Sequence, residues 1–122
     1  MVRRFDADPT AASRAQQIWL VLVGKAHNRQ TMTYGTLAEI LGYKGAGVFA
    51  PLLGHIMYYC RQNELPPLTA LVVNQSTGLP GDGLISDDLN SDRERVFDFN
   101  WYAIHAPLAR DLAACWDSAS AK

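Results

Sequence analysis

The chain has 122 residues, of which 48% are apolar, so it is long enough for one domain with a hydrophobic core. Its formal net charge of −1 argues mildly against a dedicated nucleic-acid binder, because such proteins are usually basic. The two cysteines, Cys60 and Cys115, lie outside any CxxC spacing and suggest neither a disulfide framework nor a zinc site. The longest apolar run, Ile18 to Val23, is too short to span a membrane. We therefore expect a cytoplasmic protein with one domain over residues 1–122, no membrane association and no cofactor.

A first helix is predicted by apolar residues that recur every three or four positions from Ala12 to Ala26. Asp8 is a suitable N-cap, and Pro9 fits the first turn that follows it. The periodic pattern ends near His27 and Asn28, which gives an amphipathic helix of about five turns.

A second, short helix is predicted in MTYGTLAEILGY, where Thr33 is a plausible N-cap and Gly42 a natural stop. The residues Leu37, Ile40 and Leu41 give this helix its apolar face.

A third helix follows a glycine-rich turn and is expected from about Val48 to Gln62, with Pro51 in its first turn. A short helix, a glycine-rich turn and a longer helix are typical of a helix-turn-helix unit.

The stretch LPPLTALVVNQSTGLPG then predicts a strand over Leu68 to Val73 and a turn over Asn74 to Gly78. A returning strand is expected at residues 83–85, which would complete a β-hairpin. Three helices and this hairpin predict a mainly α (α+β) fold, a winged helix-turn-helix over residues 10–85.

Residues 86–122 form a C-terminal helical extension that packs on this core. Ser91 and Glu94 make a capping box that opens a short helix through Phe97. The aromatic stretch FNWYAI is expected to be extended and packed against the core. Pro107 opens a last helix, which has one apolar face formed by Leu108, Leu112, Cys115 and Trp116.

Three segments of the chain resemble a known family. TYGTLAEILG looks like the Thr/Ser-Tyr-Gly-x-Leu-Ala motif in the DNA-binding domain of the O6-alkylguanine-DNA alkyltransferases (methylated-DNA–cysteine methyltransferases) and their alkyltransferase-like relatives. NELPPL is similar to the family's Asn-Pro-Leu-Pro segment, and VVNQSTG to its Val-Val-x-Ser-x-Gly. The resemblance covers residues 10–85 and implies a DNA-binding winged helix.

The resemblance assigns a role to Tyr34, which matches the motif tyrosine that helps to rotate a nucleotide out of the duplex. The family also carries an arginine on its third helix that fills the gap left by the base. No arginine stands near Phe49 to Pro51, where Phe49 would act as an apolar wedge. His55 is the nearest basic residue and would be a weak substitute.

The main departure from the family is the missing nucleophile. The family's Pro-Cys-His-Arg motif corresponds here to Thr69-Ala70-Leu71-Val72, which has neither cysteine nor histidine. Cys60 lies on a helix about ten residues too early, so an enzyme that uses this cysteine is the weakest hypothesis. We therefore expect a non-catalytic protein.

Further DNA contacts are expected from cations, from one of two adjacent tyrosines and from the wing turn. The predicted DNA-binding residues are Thr33, Tyr34, Lys44, Phe49, His55, Tyr58, Arg61, Asn74 and Ser76. Each has a structural alternative: the tyrosines can pack on the core, and the cations can be solvated surface groups.

Two functions remain open from the sequence. The first is a non-enzymatic DNA-binding protein that resembles the alkyltransferase-like proteins. The alternative is a protein–protein interaction module that kept the fold but lost DNA binding. It would bind a protein partner or form a homodimer. The scattered histidines and the incomplete calcium-loop pattern at 88–92 predict no metal site.

Overall fold

The computed structural model describes residues 2, 4, 5, 10–44, 49–77 and 88–120. It is mainly helical, as predicted, with one small two-stranded sheet. The elements are α1 (Ala11–His27), β1 (Met32–Thr33), α2 (Tyr34–Leu41), α3 (Phe49–Gln62), β2 (Val72–Val73), α4 (Leu89–Asp98) and α5 (Ala109–Ser120). Two 3₁₀ turns lie at Leu68–Leu71 and Trp101–Ala103.

Helix α1 is the centre of the fold, because α3, α5 and both 3₁₀ turns pack against it. Its buried residues recur at helical spacing and include Ile18, Trp19 and Leu22. The predicted end at His27 is confirmed. The helix start differs from the prediction: Thr10 is the N-cap, since its side chain accepts a hydrogen bond from the Ser13 N–H. Asp8 and Pro9 lie outside the described residues.

Helix α2 confirms both predicted ends. The Thr33 side chain caps its first turn, and Gly42 ends the helix in the left-handed region with φ of 78°. The expected apolar face is only partly right, because Ile40 is 55% exposed. The buried face is formed by Leu37 and Leu41, together with a small alanine between them.

Helix α3 runs over Phe49–Gln62, and Pro51 lies in its first turn as predicted. The predicted first residue, Val48, lies outside the described residues. One side of α3 packs on α1 and another on α5. The last helix, α5, therefore packs directly on the third helix.

The predicted strand over Leu68–Val73 is wrong for its first four residues, which form a 3₁₀ turn closed by the Ala70 N–H and the Pro67 carbonyl. All four residues are buried. Four consecutive buried positions fit a buried turn better than a strand, whose side chains alternate between two faces. Strand β2 pairs in parallel with β1. The predicted returning strand at 83–85 lies outside the described residues.

Helix α4 begins earlier than the predicted Ser91 capping box. Asp88 is the N-cap, and its carboxylate accepts the Ser91 N–H at 3.1 Å, so Ser91 lies inside the helix. The expected extended aromatic stretch contains the 3₁₀ turn at Trp101–Ala103. In the last helix, Leu112 is fully buried as predicted, whereas Leu108 is 47% exposed. Within the described residues, no helix has both the length and the apolar character needed to cross a bilayer.

Candidate nucleic-acid interface

The two short strands bring distant parts of the chain to one edge of the fold. Thr33 lies opposite Val73 in the parallel pair, and both strands run in the same direction. The residues that follow, Tyr34 and Asn74, therefore leave the pair at the same end. The start of α2 and the turn Asn74–Thr77 are neighbours, although 40 residues separate them in the chain.

The start of α2 is a polar surface, and the first turn of the helix holds no acidic side chain. The Thr33 hydroxyl accepts the Thr36 N–H at 3.1 Å and is 2.9 Å from the Thr36 hydroxyl. Gly35 and Thr36 are exposed, and the first turn holds no acidic residue. Backbone N–H groups point outwards at a helix start and carry partial positive charge, so this end is suited to an anion. Tyr34 is half-buried and packs against the core.

The neighbouring turn is held in place by Asn74, whose side-chain oxygen accepts the Ser76 N–H at 2.8 Å. Residues 74–77 are all exposed. Because the Asn74 side chain holds the backbone of this turn, its amide and hydroxyl groups are presented at the surface. Two of the predicted contact residues, Asn74 and Ser76, thus lie beside Thr33 and Tyr34.

The predicted cations Lys44 and Arg61 lie on other segments of the chain, after α2 and in the last turn of α3. Lys44 is exposed just after α2, beyond the opposite end of that helix from Tyr34. Arg61 is exposed in the last turn of α3, about 18 Å along the helix axis from Phe49. Arg14 was not predicted to have a role. It donates to the Tyr43 hydroxyl at 2.7 Å and to the Leu41 carbonyl at 2.9 Å, and so fastens α1 to the end of α2.

Two of the four third-helix residues predicted to contact DNA, Phe49 and His55, face inwards. Phe49 is fully buried with its ring edge-on to Tyr43, and His55 is 4% exposed. The imidazole of His55 lies flat against Trp116 of α5, and Tyr58 contacts the same indole. In this conformation neither Phe49 nor His55 is available to a DNA groove, because the core and α5 occupy the space on their sides.

The position that corresponds to the family's nucleophile carries no thiol. Residues 69–72 are all buried, and the Thr69 hydroxyl has no hydrogen-bond partner among the described residues. Cys60 is 1% exposed, and burial raises the pKa of its thiol to about 12. The pKa of Cys115 is also raised, first by desolvation and then by the Asp111 carboxylate. Both thiols therefore stay protonated at neutral pH, and the thiolate is the nucleophilic form.

The described part of the chain contains no cluster of three or more histidine, cysteine or acidic side chains that could hold a metal ion. Sequence reasoning missed Gly35 and Thr36 as part of the polar surface. The spacing of two threonines three apart at a helix start was the available signal, since it is typical of a capped first turn.

Comparison with known proteins found no family model, no curated protein and no solved structure that matches this chain. The likeness to the alkyltransferase DNA-binding domain therefore depends on the quoted motifs, TYGTLAEILG, NELPPL and VVNQSTG.

Proposed function

We propose that this chain is a non-enzymatic nucleic-acid-binding protein that resembles the alkyltransferase-like proteins. It would hold a phosphate backbone at the edge formed by the start of α2 and the turn Asn74–Thr77. The observation that carries the proposal is the parallel register of Thr33 with Val73, because it places these two polar segments side by side. In the proposed winged helix, the turn Asn74–Thr77 begins the wing.

The proposed contacts are hydrogen bonds from backbone N–H groups, hydroxyls and amides, which are common partners of nucleic-acid phosphates. They neutralise no phosphate charge, so few counterions are released on binding. We expect micromolar affinity or weaker, with a salt dependence smaller than that of a protein with many lysine and arginine contacts. The net charge of −1 fits this weak dependence.

Alkyl transfer is no part of the proposal. Transfer would require a thiolate to attack the alkyl carbon, and no cysteine stands at the corresponding residues 69–72. Cys60 is buried and protonated at neutral pH. If a modified base is bound, the protein recognises it without removing the alkyl group.

A fluorescence-anisotropy titration at low salt tests the proposal, with labelled duplexes that contain guanine or an O6-alkylguanine and with single-stranded DNA. We expect saturable binding by the wild type and about tenfold weaker binding by Tyr34→Ala, which removes a side chain at the start of α2. The control is Leu20→Ala, which removes an exposed apolar side chain from α1. No binding at high micromolar protein, or an equal loss in both variants, would disprove the proposal.

The position of α5 favours the alternative, a protein–protein interaction module. Helix-turn-helix proteins place their recognition helix in the major groove, and here α5 covers one side of the corresponding helix, α3. A chain that had lost DNA binding could keep α3 covered by α5 in this way. Size-exclusion chromatography with light scattering tests for a homodimer, and a dimer that binds no DNA in the titration would support this second function.

A further inference from the structure

An aromatic cleft lies between the end of α1 and the C-terminal extension. It has a volume of about 340 Å³ and is lined by six residues, His27, Phe97, Phe99, Asn100, Trp101 and Tyr102. Five of these carry planar rings. None of the six belongs to the polar edge at Thr33 and Asn74, so the cleft is a separate feature of the surface.

The floor of the cleft is firmly held. The Trp101 indole N–H donates to the Val96 carbonyl at 2.8 Å, and its ring is edge-on to Trp19 with 5.5 Å between centroids. Trp101 is 4% exposed and contacts the Phe99 ring at 4.6 Å. The ring cluster therefore keeps its geometry without a ligand, which lowers the entropic cost of binding.

One wall is fixed by Arg29, which lies over the Phe97 ring at 5.1 Å. Its guanidinium donates to the carboxylates of Glu94 at 2.6 Å and Asp98 at 3.1 Å. These contacts join the loop after α1 to α4, and the two carboxylates hold the pKa of Arg29 above its usual value. The charges of Arg29, Glu94 and Asp98 are thus already paired with one another beside the cleft.

The rim carries polar groups that have no hydrogen-bond partner among the described residues. The imidazole of His27, the amide of Asn100 and the hydroxyl of Tyr102 make no hydrogen bond with any residue that the structure describes. His27 and Tyr102 are exposed, and their rings meet edge-on at 5.5 Å. Each of the three groups can donate or accept, so the rim offers both kinds of hydrogen bond to a ligand.

These features select a class of ligand by its chemistry. A cation would depend on cation–π attraction to the rings alone, because both carboxylates of the adjacent α4 wall are held by Arg29. An anion would gain little from Arg29, because the two carboxylates already balance its charge. A purely apolar ring would cover polar groups and leave them without hydrogen bonds, which is unfavourable. An uncharged heteroaromatic ring can stack on the aromatic side chains and also use the polar rim.

We propose that this cleft binds an uncharged heteroaromatic ring of the nucleobase type. Its volume lies at the small end of the range for ligand pockets, which suits a single base or nucleoside. The inference does not depend on the phosphate contacts proposed above. The two sites are nevertheless close in the chain: Thr33 lies six positions after His27, a separation of at most about 22 Å.

An NMR titration of ¹⁵N-labelled protein with guanosine and adenosine, neither of which carries a phosphate, tests the proposal. We expect the side-chain amide of Asn100 and the indole N–H of Trp101 to shift and to saturate with a Kd of about 1 mM or below. The indole of Trp116, which lies against His55 on α5, is the internal control and should not move. Choline and 4-methylphenol serve as a cationic and a simple phenolic comparison and should bind at least fivefold more weakly.

The variants Asn100→Ala and Tyr102→Ala should each weaken nucleoside binding at least fivefold. Asn90→Ala removes an exposed amide from α4 outside the cleft and should leave binding unchanged. All three positions are exposed, so the spectra should otherwise match the wild type. No saturable shift up to 10 mM nucleoside, tighter binding of choline or 4-methylphenol, or unchanged binding in Asn100→Ala would overturn the inference. Duplex binding that is lost in Tyr34→Ala and retained in Tyr102→Ala would separate the two proposed sites.

Discussion

The indole of Trp116 stacks on the imidazole of His55 with parallel planes and 4.6 Å between ring centroids. His55 is itself fixed, because its Nδ1 is 2.6 Å from the Pro51 carbonyl oxygen one turn earlier in α3. Gly54, the neighbour of His55, leaves the space into which the indole fits. This contact is a main reason why α5 covers the third helix.

The first prediction concerns Gly54→Ala. A methyl group at this position would lie 2.5 Å from the Trp116 ring, so the indole has to move off α3. We expect the variant to lose about 1–3 kcal/mol of unfolding free energy, as is typical of overpacking. Urea denaturation measures this loss, and a change in tryptophan emission should accompany it.

The matched control is Gly24→Ala in α1, where an added methyl meets no atom within 4 Å. It should gain up to about 1 kcal/mol, because alanine is the better helix former. If the clash is with Trp116, Gly54→Ala should cost much less in a Trp116→Ala background. Equal costs in both backgrounds would contradict the assigned contact.

The second prediction concerns the pH dependence of stability. Burial raises the pKa of the Cys60 thiol to about 12, from an ordinary value of 9.0. Between these values the unfolded chain loses the proton while the folded chain keeps it. The free energy of unfolding should therefore fall above pH 9, by up to about 1.4 kcal/mol per pH unit from this group.

Urea denaturation at pH values from 7 to 10.5 tests the effect, with Cys60→Ala as the comparison. The variant should be less stable at pH 7 because of the lost side chain, and its stability should decline less steeply above pH 9. Some decline should remain, since the pKa values of Tyr59 and Cys115 are also raised by burial. Parallel profiles for the two proteins would be evidence against a buried, protonated thiol.

The third prediction concerns Thr69, whose buried hydroxyl has no partner among the described residues. Valine has nearly the same shape and no polar group. Thr69→Val should therefore increase the free energy of unfolding by about 1 kcal/mol. Thr69→Ala, which also removes the methyl group, should give a smaller gain or a loss. A clear loss in Thr69→Val would mean that the hydroxyl is hydrogen-bonded in the folded protein.

The fourth prediction concerns Glu64, which lies just after α3 and has the left-handed conformation with φ of 56°. The Leu65 N–H donates to the Cys60 carbonyl at 2.8 Å, so the conformation is required by the helix cap. Left-handed backbone is unfavourable for residues with a side chain, by about 1–2 kcal/mol. After the greater freedom of unfolded glycine is subtracted, Glu64→Gly should be stabilising by about 0.5 kcal/mol.

Arg61→Gly is the control for this effect, because Arg61 is also exposed but lies inside the helix. It should lose about 1 kcal/mol in thermal or urea denaturation. The opposite signs of two glycine substitutions three residues apart would identify the backbone conformation as the cause. A loss of stability in both variants would show that the cap does not favour glycine.

The sequence by itself determined the elements whose signals are local. The Thr33 cap, the Gly42 stop and the end of α3 at Gln62 were predicted correctly, because capping and helix periodicity act within a few residues. Thr33, Tyr34, Asn74 and Ser76 were also named individually as candidate DNA contacts. Local patterns, however, do not predict the spatial distance between two segments that are 40 residues apart in the chain.

Only the tertiary structure decided which of these residues meet. The register of β1 with β2 joined the start of α2 to the turn after Val73, and it limited the predicted strand to two residues. The packing of α5 covers His55, whereas Ile40 on α2 stays 55% exposed instead of buried in the core. The physical reason is that burial depends on which surfaces the rest of the chain covers, and that is fixed by long-range packing rather than by neighbouring residues.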